Sequence, residues 1–212
     1  MSQKDPATRF QHRTIQYWYM DGIFELGFGL LCLALGGYFS LGNILQGNRF
    51  AFLVDIALVA VVIGGSFLMR WLIQKWKERV TFPRTGYVNY SRKANRGRTL
   101  LMGVIVLSAL GLMIFFLSYV EMQISAWPLV TGILFGIVMF FVAWRNSLQR
   151  FYLHALLSIL AGVGLAFSPW DNHVGLAAFY LLIGLILIIS GILLLRKYLR
   201  QNPVPKEEQD ER

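Results

Sequence analysis

Four ionisable side chains fall within stretches of chain that are otherwise apolar. A charged group in such a setting is a functional candidate by default. Asp21 and Glu25 stand four residues apart at the start of one apolar run, and Asp55 and Arg70 lie near the two ends of the next. Residues i and i+4 of a helix share a face, so Asp21 and Glu25 could together hold a proton or a cation. A base at the same depth would instead neutralise them. If residues 23–41 and 51–72 form an antiparallel hairpin with Leu41 level with Phe52, Glu25 falls beside Arg70 and Asp21 near Lys75. That register favours structural ion pairs. It also brings Asp55 level with Tyr38, a hydrogen-bond partner. Asp55 and Glu25 then differ in depth by about 18–20 Å at 1.5 Å per residue. They cannot share one metal or catalytic centre, but as two stations of a proton or ion path they stay open.

Other chemistry is sparse. His12, His154 and His173 offer no H-x-x-x-H ligand spacing, and Cys32 is a lone thiol among leucines. The chain holds no G-x-S-x-G, Walker A, H-E-x-x-H or C-x-x-C motif. The expectation is no enzyme, no cofactor and no metal.

The elements that must position these residues follow from composition. The chain has 212 residues, 56% hydrophobic and 15% charged, with a mean hydropathy of +0.55. A soluble domain carries about 25% charged residues. Disorder, a coiled coil and a disulfide scaffold are excluded, the last by the single cysteine. About 20 mostly apolar residues cross a bilayer as a helix. Residues 23–41, 51–72, 99–120, 125–144, 151–170 and 174–195 meet that length. The predicted fold class is all-α transmembrane, a six-helix bundle of three antiparallel hairpins. An N-terminal arm (1–13) precedes the transmembrane domain (14–198), and a disordered tail (199–212) follows it. No cleavable signal peptide is read in residues 1–20.

Of the 20 Lys and Arg, only Arg49 falls opposite the rest when the chain crosses six times. Both termini and the loop 74–98 are therefore expected to be cytosolic, in the plasma (inner) membrane. Trp18, Trp71, Trp76 and Trp144 fall at the basic end, and Trp127 and Trp170 at the other, as interfacial belts. The net charge of +9 is thus first a topology signal, and no nucleic-acid partner is expected.

Small residues supply close helix approach in lipid. Gly132 and Gly136 form a GxxxG, Ser158 and Gly162 and also Ala60 and Gly64 form small-xxx-small pairs, and Gly184 and Gly191 are seven apart. They predict packing within the bundle or, at Gly132 and Gly136, a homo-oligomer. Gly36-Gly37 and Gly64-Gly65 are the places where a helix could break, as transporter helices do.

The segment "LSILAGVGLAFSPW…GLAAFYLLIGLILIISGILLL", within residues 155–195, resembles small multi-pass bacterial membrane proteins of the HdeD type in its Gly/Leu texture. The run "ERVTFPRTGYV" is similar to loops of other small, uncharacterised multi-pass bacterial proteins. Neither resemblance implies a function. Within that run, Pro83-Arg84-Thr85-Gly86 separates two β-like stretches, which predicts a short cytosolic β-hairpin between helices 2 and 3.

The expected function is a non-catalytic integral membrane protein. It would dock a membrane-protein partner or anionic lipid headgroups through the basic loop, with Arg79, Arg84, Arg92, Lys93, Arg96 and Arg98 as contacts. The alternative is a small transporter or channel using Asp21, Glu25 and Asp55.

Overall fold

A computed structural model of the protein describes residues 19–44, 51–85 and 126–203, with side chains for all of these except 43–44, 51–59 and 85. The described residues form α1 (Ile23–Ile44), α2 (Ala51–Val80), the one-turn α3 (Phe82–Thr85), α4 (Ala126–Asn146), α5 (Gln149–Ala166) and α6 (Asn172–Gln201). Four stretches are long and apolar enough to cross a membrane: Ile23–Gly42, Ala126–Asn146, Gln149–Ala166 and Asn172–Gln201. Four such helices mark a multi-pass membrane protein.

The expected six-helix bundle with a β-hairpin is corrected on both counts. The described residues contain four candidate spans, not six, and no strand. The run 99–120 lies outside the described residues. Helix α2 is not among the four, and its described part ends in Arg70, Lys75, Lys77, Glu78 and Arg79.

Helix displaces the expected first strand, and local bonds support it alongside the tie from Thr81 to Asp21. Thr81 N–H bonds the Lys77 carbonyl at 2.9 Å, continuing α2 by one turn, and Arg84 N–H bonds the Thr81 carbonyl at 3.1 Å. The Arg84 guanidinium also donates to the Val80 carbonyl at 2.8 Å, satisfying a group the helix end leaves open. Pro83 falls in the first turn of α3, where its missing N–H costs nothing. Residues 87–90, the expected second strand, lie outside the described residues.

Glycine spacing sets the two main helix interfaces. Gly22, Gly29 and Gly36 recur every seven residues on the α1 side and meet α6 at Gly191, Gly184 and Leu181. The approach is reciprocal. A Cβ on Gly29 would lie 2.9 Å from the Gly184 carbonyl oxygen, and one on Gly184 would lie 3.0 Å from that of Gly29. Gly22 has a φ of +73°, so it also makes the turn into α1. Between the backbones lie Cys32, Phe179, Ile183 and Leu187, fully or nearly fully buried.

The second interface joins α4 to α5. A Cβ on Gly132 would sit 2.7 Å from Gly162 Cα, and one on Gly136 would sit 3.1 Å from the Ala155 carbonyl oxygen. The Ser158 hydroxyl donates to the His154 carbonyl at 2.7 Å within α5. Gly132, Gly136, Ser158 and Gly162 are all consumed inside the chain. The face formed by Gly132 and Gly136 packs on α5 within the chain.

The strongest pairings are α1 with α6 and α4 with α5. Neither is an expected hairpin, since those paired α1 with α2 and α5 with α6; both hairpins do make contact, but less extensively. A stack of rings (Tyr19, Phe24, Phe28, Phe135, Phe151) joins the two pairs, with neighbouring centroids 5.1–6.1 Å apart. Helix α1 continues through Gly36-Gly37 and α2 through Gly64-Gly65, so neither pair breaks its helix.

Candidate functional site

The chain enters α1 through a turn, Met20 to Gly22, that buries Asp21. Asp21 Oδ1 accepts the Ile23 N–H at 3.1 Å, as an N-terminal cap would. Its other oxygen, Oδ2, lies 2.5 Å from Lys77 Nζ and accepts the Thr81 hydroxyl at 3.0 Å. Asp21, Lys77 and Glu25 are each 0% exposed. Lys77 comes from the last turn of α2, so this pair ties the end of that helix to the start of α1. Burial pulls the Lys77 ammonium below the usual lysine range, against the pull of Asp21 in the other direction.

Glu25 points elsewhere. Its Oε1 lies 2.7 Å from Nε of Arg150, at the start of α5, although the two are not aligned as a hydrogen bond. Arg150 also donates to the Tyr19 carbonyl and stacks over the Phe151 ring, 5.3 Å from its centroid. Glu25 Oε2 is buried with no donor. Two acids thus meet two bases, and the cluster as a whole is neutral.

These contacts revise the sequence reading. Asp21 precedes the helix, so the i, i+4 spacing does not put it on one face with Glu25. The two acids reach different helices. Arg70 is exposed, and Glu25 pairs with Arg150 instead. The expected hairpin register is off by about a turn. Gly27 packs on Ile73 and Gly65 on Leu31, which brings Asp21 level with Lys77. Close glycine contacts set that register, whereas the expected one was counted from the helix ends.

Asp55 is helical, but its side chain lies outside the described residues, so the Tyr38 pairing does too. Of the loop bases, Arg79 is exposed and Arg84 is half-buried on α3, while Arg92, Lys93, Arg96 and Arg98 lie outside the described residues. His12 lies outside them as well. His154 Nε2 lies 3.3 Å from the Ser190 hydroxyl, and His173 is exposed at the opposite end. Cys32 packs between α1 and α6.

Sequence reasoning missed Lys77, Thr81 and Arg150. The glycines spaced by seven at 22, 29 and 36 were a usable signal, because they match the spacing of Gly184 and Gly191 and pair α1 with α6. Nothing comparable marked α5 as the partner of Glu25.

Around this cluster, among the described residues, lies a second set of charges that is exposed: Arg70, Lys75, Arg79, Arg145, Arg196, Lys197 and Arg200, with Glu78 as the exposed acid among them. All belong to the same end of the bundle, where α1 starts and α2, α4 and α6 finish. Trp71 and Trp144 are exposed at this end, and Trp127 and Trp170 at the other.

Chemically, each acid of the buried cluster faces a base, and Glu25 Oε2 lacks a donor. Among the described residues, no group of three or more His, Cys, Asp or Glu could hold a metal ion. No protein-family model, curated protein or solved structure matches the chain.

Proposed function

We propose that the protein is a non-catalytic integral membrane protein whose basic end gathers anionic lipid headgroups on the cytosolic side of the plasma (inner) membrane. The observation that carries this reading is the division of charge at that end. Asp21 and Glu25 face Lys77 and Arg150, while among the described residues the exposed bases from Arg70 to Arg200 have little exposed acid to answer them. Each Lys or Arg beside an anionic surface contributes about 1 kcal/mol. The exposed Trp71 and Trp144 mark the headgroup layer at the same level. The start of α1 and the end of α6 share this end, so the bias of Lys and Arg toward the cytosol favours a cytosolic position for both termini. An ion path through Asp21 and Glu25 is the weaker reading, because both carboxylates are already paired inside the fold.

Two measurements test the proposal. The first reconstitutes the protein in mixed phosphatidylglycerol and phosphatidylcholine, extracts it in mild detergent and weighs the retained lipid by native mass spectrometry. Phosphatidylglycerol should be enriched over the bulk mixture, and the enrichment should fall as salt rises. Retention in the bulk ratio at every salt concentration contradicts the proposal. The second measurement concerns orientation. Ser147 is exposed in the turn between α4 and α5 at the basic end, and the native Cys32 is buried. Ser147→Cys should resist an impermeant thiol reagent on intact cells and react after permeabilisation. Labelling on intact cells contradicts the cytosolic assignment.

A further inference from the structure

We infer that the outer face of α2 is a binding site for one anionic phospholipid molecule, with the acyl chain along Ile63, Gly64 and Phe67 and the phosphate held by Arg70 and Lys75 beside Trp71. The inference rests on the anionic-lipid reading above and gives it a location.

Two consecutive glycines show how the face arises. Gly65 turns toward α1, where a Cβ would lie 2.7 Å from Leu31. Gly64 turns the other way and has nothing within 4 Å. With Ile63 54% and Phe67 69% exposed, Gly64 forms the floor of a shallow apolar channel on the far side of α2. Among the described helices, α2 packs on α1 and α3. Helix α2 packs along α1, which is long and apolar enough to span, so the channel lies at the level of the membrane.

The channel ends in cationic and aromatic groups. At about 100° per residue, the positions of Arg70 and Lys75 flank Trp71 on opposite sides of the stripe. Lys75 Nζ already sits over the Trp71 ring, 4.2 Å from its centroid. That contact draws the ammonium toward the channel mouth, and Arg70 is free in solvent to approach from the other flank. A guanidinium and an ammonium around one anion, above an apolar groove and an interfacial indole, fit the phosphate and chain of one phospholipid. Glu78, farther along the stripe, accepts the Gln74 side-chain amide at 3.1 Å. A carboxylate there disfavours a second anion and limits the site to one.

The test uses the full-length protein reconstituted in phosphatidylglycerol and phosphatidylcholine, with retained lipid weighed by native mass spectrometry. Arg70→Gln with Lys75→Gln should lower retained phosphatidylglycerol at least fivefold. Gly64→Leu fills the channel without changing any charge and should lower it comparably. Arg196→Gln with Lys197→Gln removes the same charge elsewhere on the basic end and should lower it less than twofold. If the wild-type protein shows no preference for phosphatidylglycerol, the broader reading fails and this site falls with it. If the wild-type preference stands but the Arg70/Lys75 and Gly64 variants match wild type, the reading survives and this site is wrong. If Gly64→Leu instead converts a dimer to a monomer, the face is a self-association surface and the inference is overturned.

Discussion

The basic end of this bundle holds two populations of charge that differ in burial and, by our account, in purpose. Inside, Asp21 with Lys77 and Glu25 with Arg150 join the ends of three helices. Outside, Arg145, Arg196, Lys197 and Arg200 stand exposed. The lesson is that sequence position near a membrane edge does not decide what a base does. Lys75 and Lys77 are two residues apart on one helix, yet Lys77 is sealed against Asp21 while Lys75 lies over Trp71 at the surface. Turning the helix by about 200° moves a lysine from one role to the other.

The largest expected effect comes from breaking the inner population. Asp21→Ala leaves the Lys77 ammonium buried without its carboxylate and should cost about 3–5 kcal/mol of stability. Thermal unfolding in detergent reads this as a large drop in midpoint. Asp21→Leu combined with Lys77→Met removes both charges and should recover most of the loss, since apolar replacement of a buried pair is often close to neutral. A double variant as unstable as the single one would mean that the cost lies in the turn at Gly22 and not in the pair.

The next effect down sharpens the contrast between inside and outside with glycine. Gly162→Val inserts side-chain atoms where Gly132 Cα and the Pro128 carbonyl oxygen already crowd a Cβ, at 2.8 and 2.9 Å. Such overpacking should cost about 1–3 kcal/mol. Gly164→Val, two residues away with nothing within 4 Å, should stay within about 0.5 kcal/mol of wild type apart from its helix propensity. Equal losses at the two positions would contradict the packing described for α4 and α5.

The comparison also explains what the sequence made legible. A membrane class was readable because apolar runs of the right length have few other uses, and the crowding of bases at one end was readable because charge survives any change of helix pairing. The β-like texture of Arg79 to Phe82 misled, because tertiary ties override short-range propensity there. Thr81 bonds Asp21, sixty residues away, and so anchors the turn between α2 and α3 to the start of α1. The partner of Glu25 was hidden for a related reason. Arg150 lies beyond α2, α3 and α4, and a register argument confined to neighbouring helices has no access to it. The two-helix grouping around Gly22, Gly29 and Gly36 was present in the spacing, but it required matching glycines across the whole chain.

The smallest expected change in stability belongs to the outer population, and it tests the central claim most directly. Arg70, Lys75, Arg145, Arg196, Lys197 and Arg200 are replaced together by Gln, and the protein is reconstituted in mixed phosphatidylglycerol and phosphatidylcholine. Retained lipid and unfolding midpoint are measured on the same sample. Surface substitutions of this kind stay within about 0.5 kcal/mol each, so the midpoint should hardly move while the salt-sensitive part of the phosphatidylglycerol enrichment falls. Enrichment and salt dependence both unchanged from wild type, at an unchanged midpoint, would contradict the assignment of the exposed bases to lipid.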